Sequence, residues 1–132
     1  MTETRSGPVE LELARACSSL EAARLLAAAG LAADSVSRAY YAIFHAASAL
    51  VASIGRTART HDGLRALIAE HFIRPGVLAP EHGRTLSRIA GDRNDADCNV
   101  AAVFTLADTE EDITRASAFI EAATRIIETA PA

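Results

Sequence analysis

The sequence has no tryptophan, two cysteines, two tyrosines and four phenylalanines among 132 residues. Few aromatic residues combined with abundant alanine favour closely packed helices over a β-sandwich. No stretch reaches the ~20 uninterrupted apolar residues that a membrane-spanning helix needs. Residues 1–8 also lack the basic segment followed by an apolar run that marks an export signal. We therefore expect a cytoplasmic protein with no membrane partner.

The cysteines and the charge limit the kinds of site that the chain can carry. Cys17 and Cys98 fall in different helical contexts, and neither belongs to a CxxC pair or to a Cys/His cluster with metal-ligand spacing. We expect two free thiols, no metal site and no cofactor. The formal net charge of -4 argues against a broad basic surface for nucleic acid but leaves room for a local basic cleft.

Apolar residues recur at steps of three and four positions in about five segments, the pattern of amphipathic helices. We predict an all-α, up-and-down bundle of about five helices in a single domain over residues 1–132, with 1–7 and 129–132 as frayed tails. The predicted helices run from Pro8 to Gly30, from Asp34 or Ser35 to Gly55, from Thr60 through Phe72, from Pro80 toward Arg93, and from Thr105 to the terminus.

The second predicted helix is unusual because both of its sides are apolar. Its far side carries Arg38, Tyr41 and His45 between small residues, and no charged residue lies between Arg38 and Gly55. We expect this helix to be buried on two sides, so these polar groups need partners from the bundle, a second copy or a ligand. The expected core stripe consists of Val36, Tyr40, Ile43, Ala47, Leu50 and Ile54.

Two interpretations of this polar face remain open. In the first, Arg38 bridges helices and His45 is an interior histidine with its hydrogen bonds satisfied. In the second, the seven-residue separation places a permanent cation and a titratable base about two turns apart on one face. Such a pair suits phosphodiester chemistry, with Arg stabilising negative charge while His transfers a proton.

Four ordered segments of the sequence carry a resemblance to a known family. They are Ser37-Arg38-Ala39-Tyr40-Tyr41-Ala42, Arg59-Thr60-His61-Asp62-Gly63-Leu64, Phe72 with Pro75-Gly76-Val77-Leu78, and Arg93-Asn94-Asp95-Ala96-Asp97-Cys98. In these segments the chain resembles the HEPN superfamily, specifically a branch of small prokaryotic proteins with a Ser-Arg-Ala-Tyr-Tyr-Ala helix.

The resemblance implies a helical bundle that forms a homodimer and acts on or binds RNA or a nucleotide. It also implies a minimal nucleotidyltransferase partner in a toxin–antitoxin pair. Active HEPN ribonucleases are metal-independent and use Arg, a polar residue and then His after a gap of four to six residues. Arg93-Asn94 matches the opening of that motif, but Cys98, Asn99 and Val100 occupy the His positions. The resemblance therefore leaves open whether the protein is an endoribonuclease.

The candidate site combines the polar face with the late segment. We predict Arg93, Asp97 and His45 as catalytic residues. The predicted ligand-binding residues are Arg38, Tyr41, His61 and Asn94. The alternatives are a non-catalytic module that binds a nucleotide or a partner protein, and a scaffold that only self-associates.

Three of these residues have plain structural alternatives. His61 follows Thr60 at a predicted helix start, where backbone N–H groups favour phosphate, but a simple capped turn explains the same pattern. Arg93 and Asp97 lie four residues apart, so an intrahelical ion pair is the alternative to a catalytic role.

Overall fold

The computed structural model describes residues 3–98 and 104–130, with side chains for residues 7–92 and 104–130. Within these ranges the chain contains helices and no strand. The helices are α1 (Glu3–Ala28), α2 (Ala32–Ser53), α3 (His61–Ile68), α4 (Pro80–Cys98) and α5 (Leu106–Thr129). A π-helical turn over Ala69–Ile73 continues α3 without a break. The predicted all-α bundle of about five helices is confirmed.

Helix α2 is the centre of the bundle, because it packs against each of the other four helices. Over the described residues, α1 and α4 lie on different sides of α2 and do not contact each other, whereas α5 contacts both. The prediction that α2 is buried on two sides is correct, since Ala39, Ala42, Ala46 and Ala49 are buried as well as the core stripe.

One residue of the predicted core stripe is placed differently. Ile54 is 43% exposed because α2 ends at Ser53 and the chain turns away there. Gly55 adopts a φ of 76° and the Arg56 N–H bonds to the Val51 carbonyl at 3.0 Å. This left-handed glycine with a bond spanning five residues is a common helix ending, and Gly30 ends α1 in the same way.

The predicted helix starts are correct for three of the five helices. Helix α4 begins at Pro80, as predicted. Thr60 caps α3 by accepting the Gly63 N–H at 2.9 Å. Thr105 and Asp108 form the predicted capping box at the start of α5. Both caps satisfy backbone N–H groups that have no partner inside the helix.

The predicted starts of α1 and α2 are wrong. Pro8 lies inside α1 rather than at its first position, where its ring nitrogen has no hydrogen to donate to the helix. Helix α2 begins after Leu31 without a side-chain cap. Ser35 is instead buried, and its hydroxyl donates to the Ala23 carbonyl of α1 at 2.7 Å. Whether the termini fray stays a prediction.

Helices α4 and α5 are joined by a pair of carboxyl groups. Asp112 is only 2% exposed, and its side chain is hydrogen-bonded to that of Asp92. Burial, followed by the bond and negative charge of Asp92, raises the pKa of Asp112 to about 7, although Arg115 and Arg88 oppose this shift. Burial and the neighbouring Asp92 therefore favour the protonated form of Asp112 where α4 meets α5.

The raised pKa of Asp112 predicts a pH-dependent stability. Between the ordinary carboxyl pKa and about 7, the folded protein keeps a proton that the unfolded chain has lost, so stability falls as pH rises through this window. We expect the free energy of unfolding of Asp112→Asn to rise by about 2–4 kcal/mol relative to that of the wild type between pH 4 and pH 8. Urea unfolding at several pH values measures this difference. The exposed-carboxyl control Glu121→Gln should show no such trend, and a pH-independent difference for Asp112→Asn would contradict the assignment.

The small residues of α2 set its distance from its neighbours. Ala46 is fully buried, so Ala46→Leu adds side-chain volume where no space is free. We expect this to lower the free energy of unfolding by about 1–3 kcal/mol. Ala118→Leu adds the same volume at an exposed position of α5, where surface changes shift stability by about 0.5 kcal/mol or less. Equal urea midpoints for the two variants would show that the spacing around Ala46 is not tight.

Candidate functional site

The predicted polar face of α2 lines a cavity on the surface of the bundle. Arg38, Tyr41 and His45 form one wall of a cavity of about 590 Å³, and α1 forms the other. Two smaller cavities continue it, one past Arg38 to Leu26 and one past His45 to Pro8. We call this continuous depression the α1–α2 groove. It follows α1 for about 27 Å, taking about 1.5 Å per residue.

His45 is held in the groove by a carboxylate from α1. Its Nδ1 lies 2.7 Å from Oε1 of Glu12, and the two side chains are 21% and 35% exposed. With Nδ1–H donating to the carboxylate, Nε2 is the ring nitrogen that accepts or delivers a proton. The bond agrees with the structural interpretation of His45, and it also fixes the orientation of the imidazole ring.

Two arginines face the groove from opposite walls. Arg15 comes from α1 and Arg38 from α2, and both residues are exposed. Neither forms an ion pair with another residue in the part of the chain that the structure describes. The chain has no lysine, so its basic groups are guanidiniums, which bind phosphate oxygens in a bidentate manner. The groove can therefore hold an anionic ligand.

His61 lies apart from this groove. Its ring centroid is 5.3 Å from that of Tyr40 and 5.1 Å from that of Phe44. His61 thus packs on the side of α2 that meets the start of α3, where Thr60 caps the helix. The structure does not bring it together with Arg38 and Tyr41.

The late candidate residues lie in the last part of α4. The backbones of Arg93, Asn94 and Asp97 belong to the helix Pro80–Cys98, so the predicted end near Arg93 is wrong and the helix continues. Their side chains lie outside the described residues. Positions 99 and 100, where the family motif allows its histidine, are also outside the described part of the chain.

The packing of α5 shows which end of the bundle carries this segment. Asp92 of α4 contacts Asp112 of α5, and the start of α5 shares a cavity of about 580 Å³ with the end of α1. Because α2 begins just after α1 ends, Arg93 and Arg38 lie at the same end of the bundle. His45 is about 10 Å further along α2.

The sequence interpretation missed the α1 wall of the groove. Glu12, Arg15, Ser18 and Ser19 fall at steps of three and four residues, so they share one helical face. This polar face, which lies beside the apolar residues of α1, is the available signal in the sequence. The pairing of Glu12 with His45 depends on two helices and is not encoded locally.

Two features are absent from the described residues. No group of three or more His, Cys, Asp or Glu side chains is placed to hold a metal ion there. No helix in that part of the chain is long and apolar enough to span a membrane.

Known proteins match much of this chain. A UPF0332 protein of Thermotoga maritima is 30% identical over 115 residues, which are 87% of this chain and 86% of that protein. A UPF0332 protein of Pyrococcus horikoshii is 36% identical over 74 residues, 56% of this chain and 52% of that protein. A protein of Methanocaldococcus jannaschii, named as a candidate toxin, is 35% identical over 69 residues, 52% of each chain.

The matched segments span about half the length of the Pyrococcus and Methanocaldococcus relatives. A family model described as the HEPN domain matches residues 9–130. This match covers α2 to α5 and most of α1, and it confirms the predicted resemblance to the HEPN superfamily. The chain therefore belongs to the HEPN domain family.

Proposed function

We propose that this HEPN protein is the toxin-like component of a toxin–antitoxin pair with a minimal nucleotidyltransferase, and that it binds or cleaves RNA in the α1–α2 groove. The observation that carries the RNA part is the groove itself, in which an oriented histidine is flanked by two arginines that form no ion pair with the described residues. The toxin part is supported by the family and by the name of the Methanocaldococcus relative. A cytoplasmic homodimer belongs to the same proposal and is supported by the family resemblance.

The shape of the groove favours a strand over a single small anion. A length of about 27 Å accommodates several nucleotides, and cations on both walls contact the phosphates of one strand. Ser18 and Ser19 add hydroxyl donors for phosphate or ribose, and the Tyr41 ring offers a surface on which a base can stack. Single-stranded RNA is therefore the ligand class that fits best.

In the catalytic form of the proposal, His45 is the general base. Glu12 holds Nδ1–H, and Nε2 takes the proton of a ribose 2′-hydroxyl. The 2′-oxygen then bonds to the adjacent phosphorus, the bond from phosphorus to the 5′-oxygen breaks, and that oxygen takes a proton from solvent. Arg15 and Arg38 stabilise the negative charge on the phosphoryl oxygens as it builds up, so the step requires no metal ion.

A second function is favoured by a specific departure from the family motif. Cys98, Asn99 and Val100 stand where active HEPN ribonucleases have histidine. Without that base, the protein is a non-catalytic module that binds RNA, a nucleotide or its partner protein through the same groove. Binding and cleavage are therefore tested separately.

Removing one groove arginine should weaken RNA binding. A hydrogen bond to a charged group contributes about 1.5–3 kcal/mol, so we expect Arg38→Ala to raise the Kd for a labelled single-stranded 12-mer at least tenfold. The salt dependence of binding should also become less steep. Fluorescence anisotropy measures both quantities. Arg56→Ala, an exposed arginine in the turn after α2, is the control and should bind normally. Equal losses of RNA affinity in the two variants would show that the groove is not the binding site.

Cleavage separates the groove from the late segment as the active site. With purified protein and labelled RNA, we expect His45→Ala to lower the rate at least a hundredfold and Glu12→Gln to lower it about tenfold. Circular dichroism checks that each variant is folded. Expression in bacteria should arrest growth with the wild type and not with His45→Ala.

The variant Arg93→Ala decides between the two locations. Loss of cleavage in Arg93→Ala, with a normal rate in His45→Ala, would place the active site at the end of α4 alone. If the wild-type protein neither cleaves RNA nor arrests growth, the catalytic form is eliminated and the binding module remains.

A further inference from the structure

A second groove lies on the other side of the bundle, between α3 with its π-helical continuation and α4. It encloses about 870 Å³ and shares no lining residue with the α1–α2 groove. Its floor contains Ile68, Leu86 and the small residues Ala66, Ala69 and Gly83. We call it the α3–α4 groove. None of the residues predicted from the sequence to be functional lines it.

The walls of this groove have a shape that can accommodate a helix. On α4 the lining residues repeat at Gly83 and Arg84 and again at Ser87 and Arg88, which places them on one helical face. Two neighbouring helices with small residues between them leave a depression into which a third helix packs. The α4 wall rises about 12 Å from Pro80 to Arg88, enough for about eight residues of an incoming helix.

The charge of the α3–α4 groove is opposite to that of the whole chain. Arg65 lines one wall and Arg84 and Arg88 line the other, whereas Asp62 is the single acidic residue among the lining residues. The protein as a whole has a formal net charge of -4. A local cluster of arginines on an acidic protein selects an acidic partner and repels basic ones.

The three arginines differ in how far they are already neutralised. Arg65 pairs with Asp62 and also donates to the Ser87 hydroxyl at 3.3 Å. Arg88 reaches Glu111 at 3.5 Å. Arg84 has no ion-pair partner within the part of the chain that the structure describes. It is therefore the cation most available to a carboxylate from outside.

The lining also argues against nucleic acid as the occupant. No aromatic side chain is among the residues that line the α3–α4 groove, so an unstacked base finds no ring there. Its apolar surface is aliphatic, which matches the alanine and leucine side chains on the apolar face of a helix. An amphipathic helix with flanking carboxylates can pack its apolar face on the floor and pair its charges with the arginines of the walls.

We propose that the α3–α4 groove binds an acidic amphipathic helix of a partner protein. The small and apolar face of that helix lies on Ala66, Ala69 and Gly83, and its carboxylates pair with Arg84 and Arg88. This site does not depend on RNA binding in the α1–α2 groove, so either proposal can fail alone.

Two synthetic peptides test the proposal directly with the full-length protein. Both are helical 15-mers with the same stripe of leucine and alanine, one flanked by glutamate and the other by lysine. By fluorescence anisotropy at low salt, we expect the glutamate peptide to bind at least tenfold more tightly than the lysine peptide. Its affinity should fall as salt is added, because the contacts are partly exposed ion pairs.

Variants locate the bound peptide. Arg84→Glu reverses the available charge, and Ala66→Trp fills the floor of the groove from an exposed position. Each variant should raise the Kd for the glutamate peptide at least tenfold. The matched controls are Arg74→Glu and Ala118→Trp, which alter exposed residues that do not line the groove. Both controls should bind the peptide like the wild type.

Three outcomes would overturn the proposal. The first is equal or absent binding of the two peptides, and the second is the same affinity in Arg84→Glu and Arg74→Glu. The third is a different occupant. Binding of poly(U) that depends on Arg84 would make the groove a nucleic-acid surface, and self-association lost in Arg84→Glu would make it an interface between copies of this chain.

Discussion

The bundle depends on the close packing of α2 against all of its neighbours. A helix that contacts four others can present bulky side chains in few directions, and buried alanines on both sides of its core stripe meet this requirement. The consequence for function is spatial. Polar groups of α2 reach the surface where the facing wall of α1 leaves room, and this confines Arg38, Tyr41 and His45 to a single groove.

The bond between His45 and Glu12 connects this packing constraint to chemistry. A half-buried imidazole needs a partner for its ring nitrogen, and the Glu12 carboxylate supplies one from the neighbouring helix. The same contact ties α1 to α2 and fixes which nitrogen is basic. A structural and a catalytic role are therefore not exclusive for this histidine, and only a comparison of Glu12→Gln with His45→Ala in folded protein separates them.

The sequence predicted the fold well because local sequence patterns determine most of the helices. Spacing at three and four residues located the helices, Thr60 and Thr105 marked two starts, and glycines marked two ends. The wrong start of α2 had a tertiary cause. Ser35 looked like a cap, but its hydroxyl bonds to a carbonyl of α1, a partner that no local pattern reveals.

The candidate site was only half predictable for the same reason. The face of α2 was visible in the sequence because one helix carries all of it. The α1 wall and the arginines of the α3–α4 groove come together only through the packing of separate helices, and their side chains resemble ordinary exposed positions. Sequence patterns find residues that share one element, whereas a site shared by two elements needs the structure.

The α3–α4 groove and the late segment lie on the two halves of α4. The first half of the helix forms one wall of the groove, and the second half carries Arg93. Between them, Asp92 lies against the buried Asp112 of α5. Ionisation of Asp112 places a negative charge beside Asp92 in a poorly hydrated contact, which weakens the packing of α4 against α5.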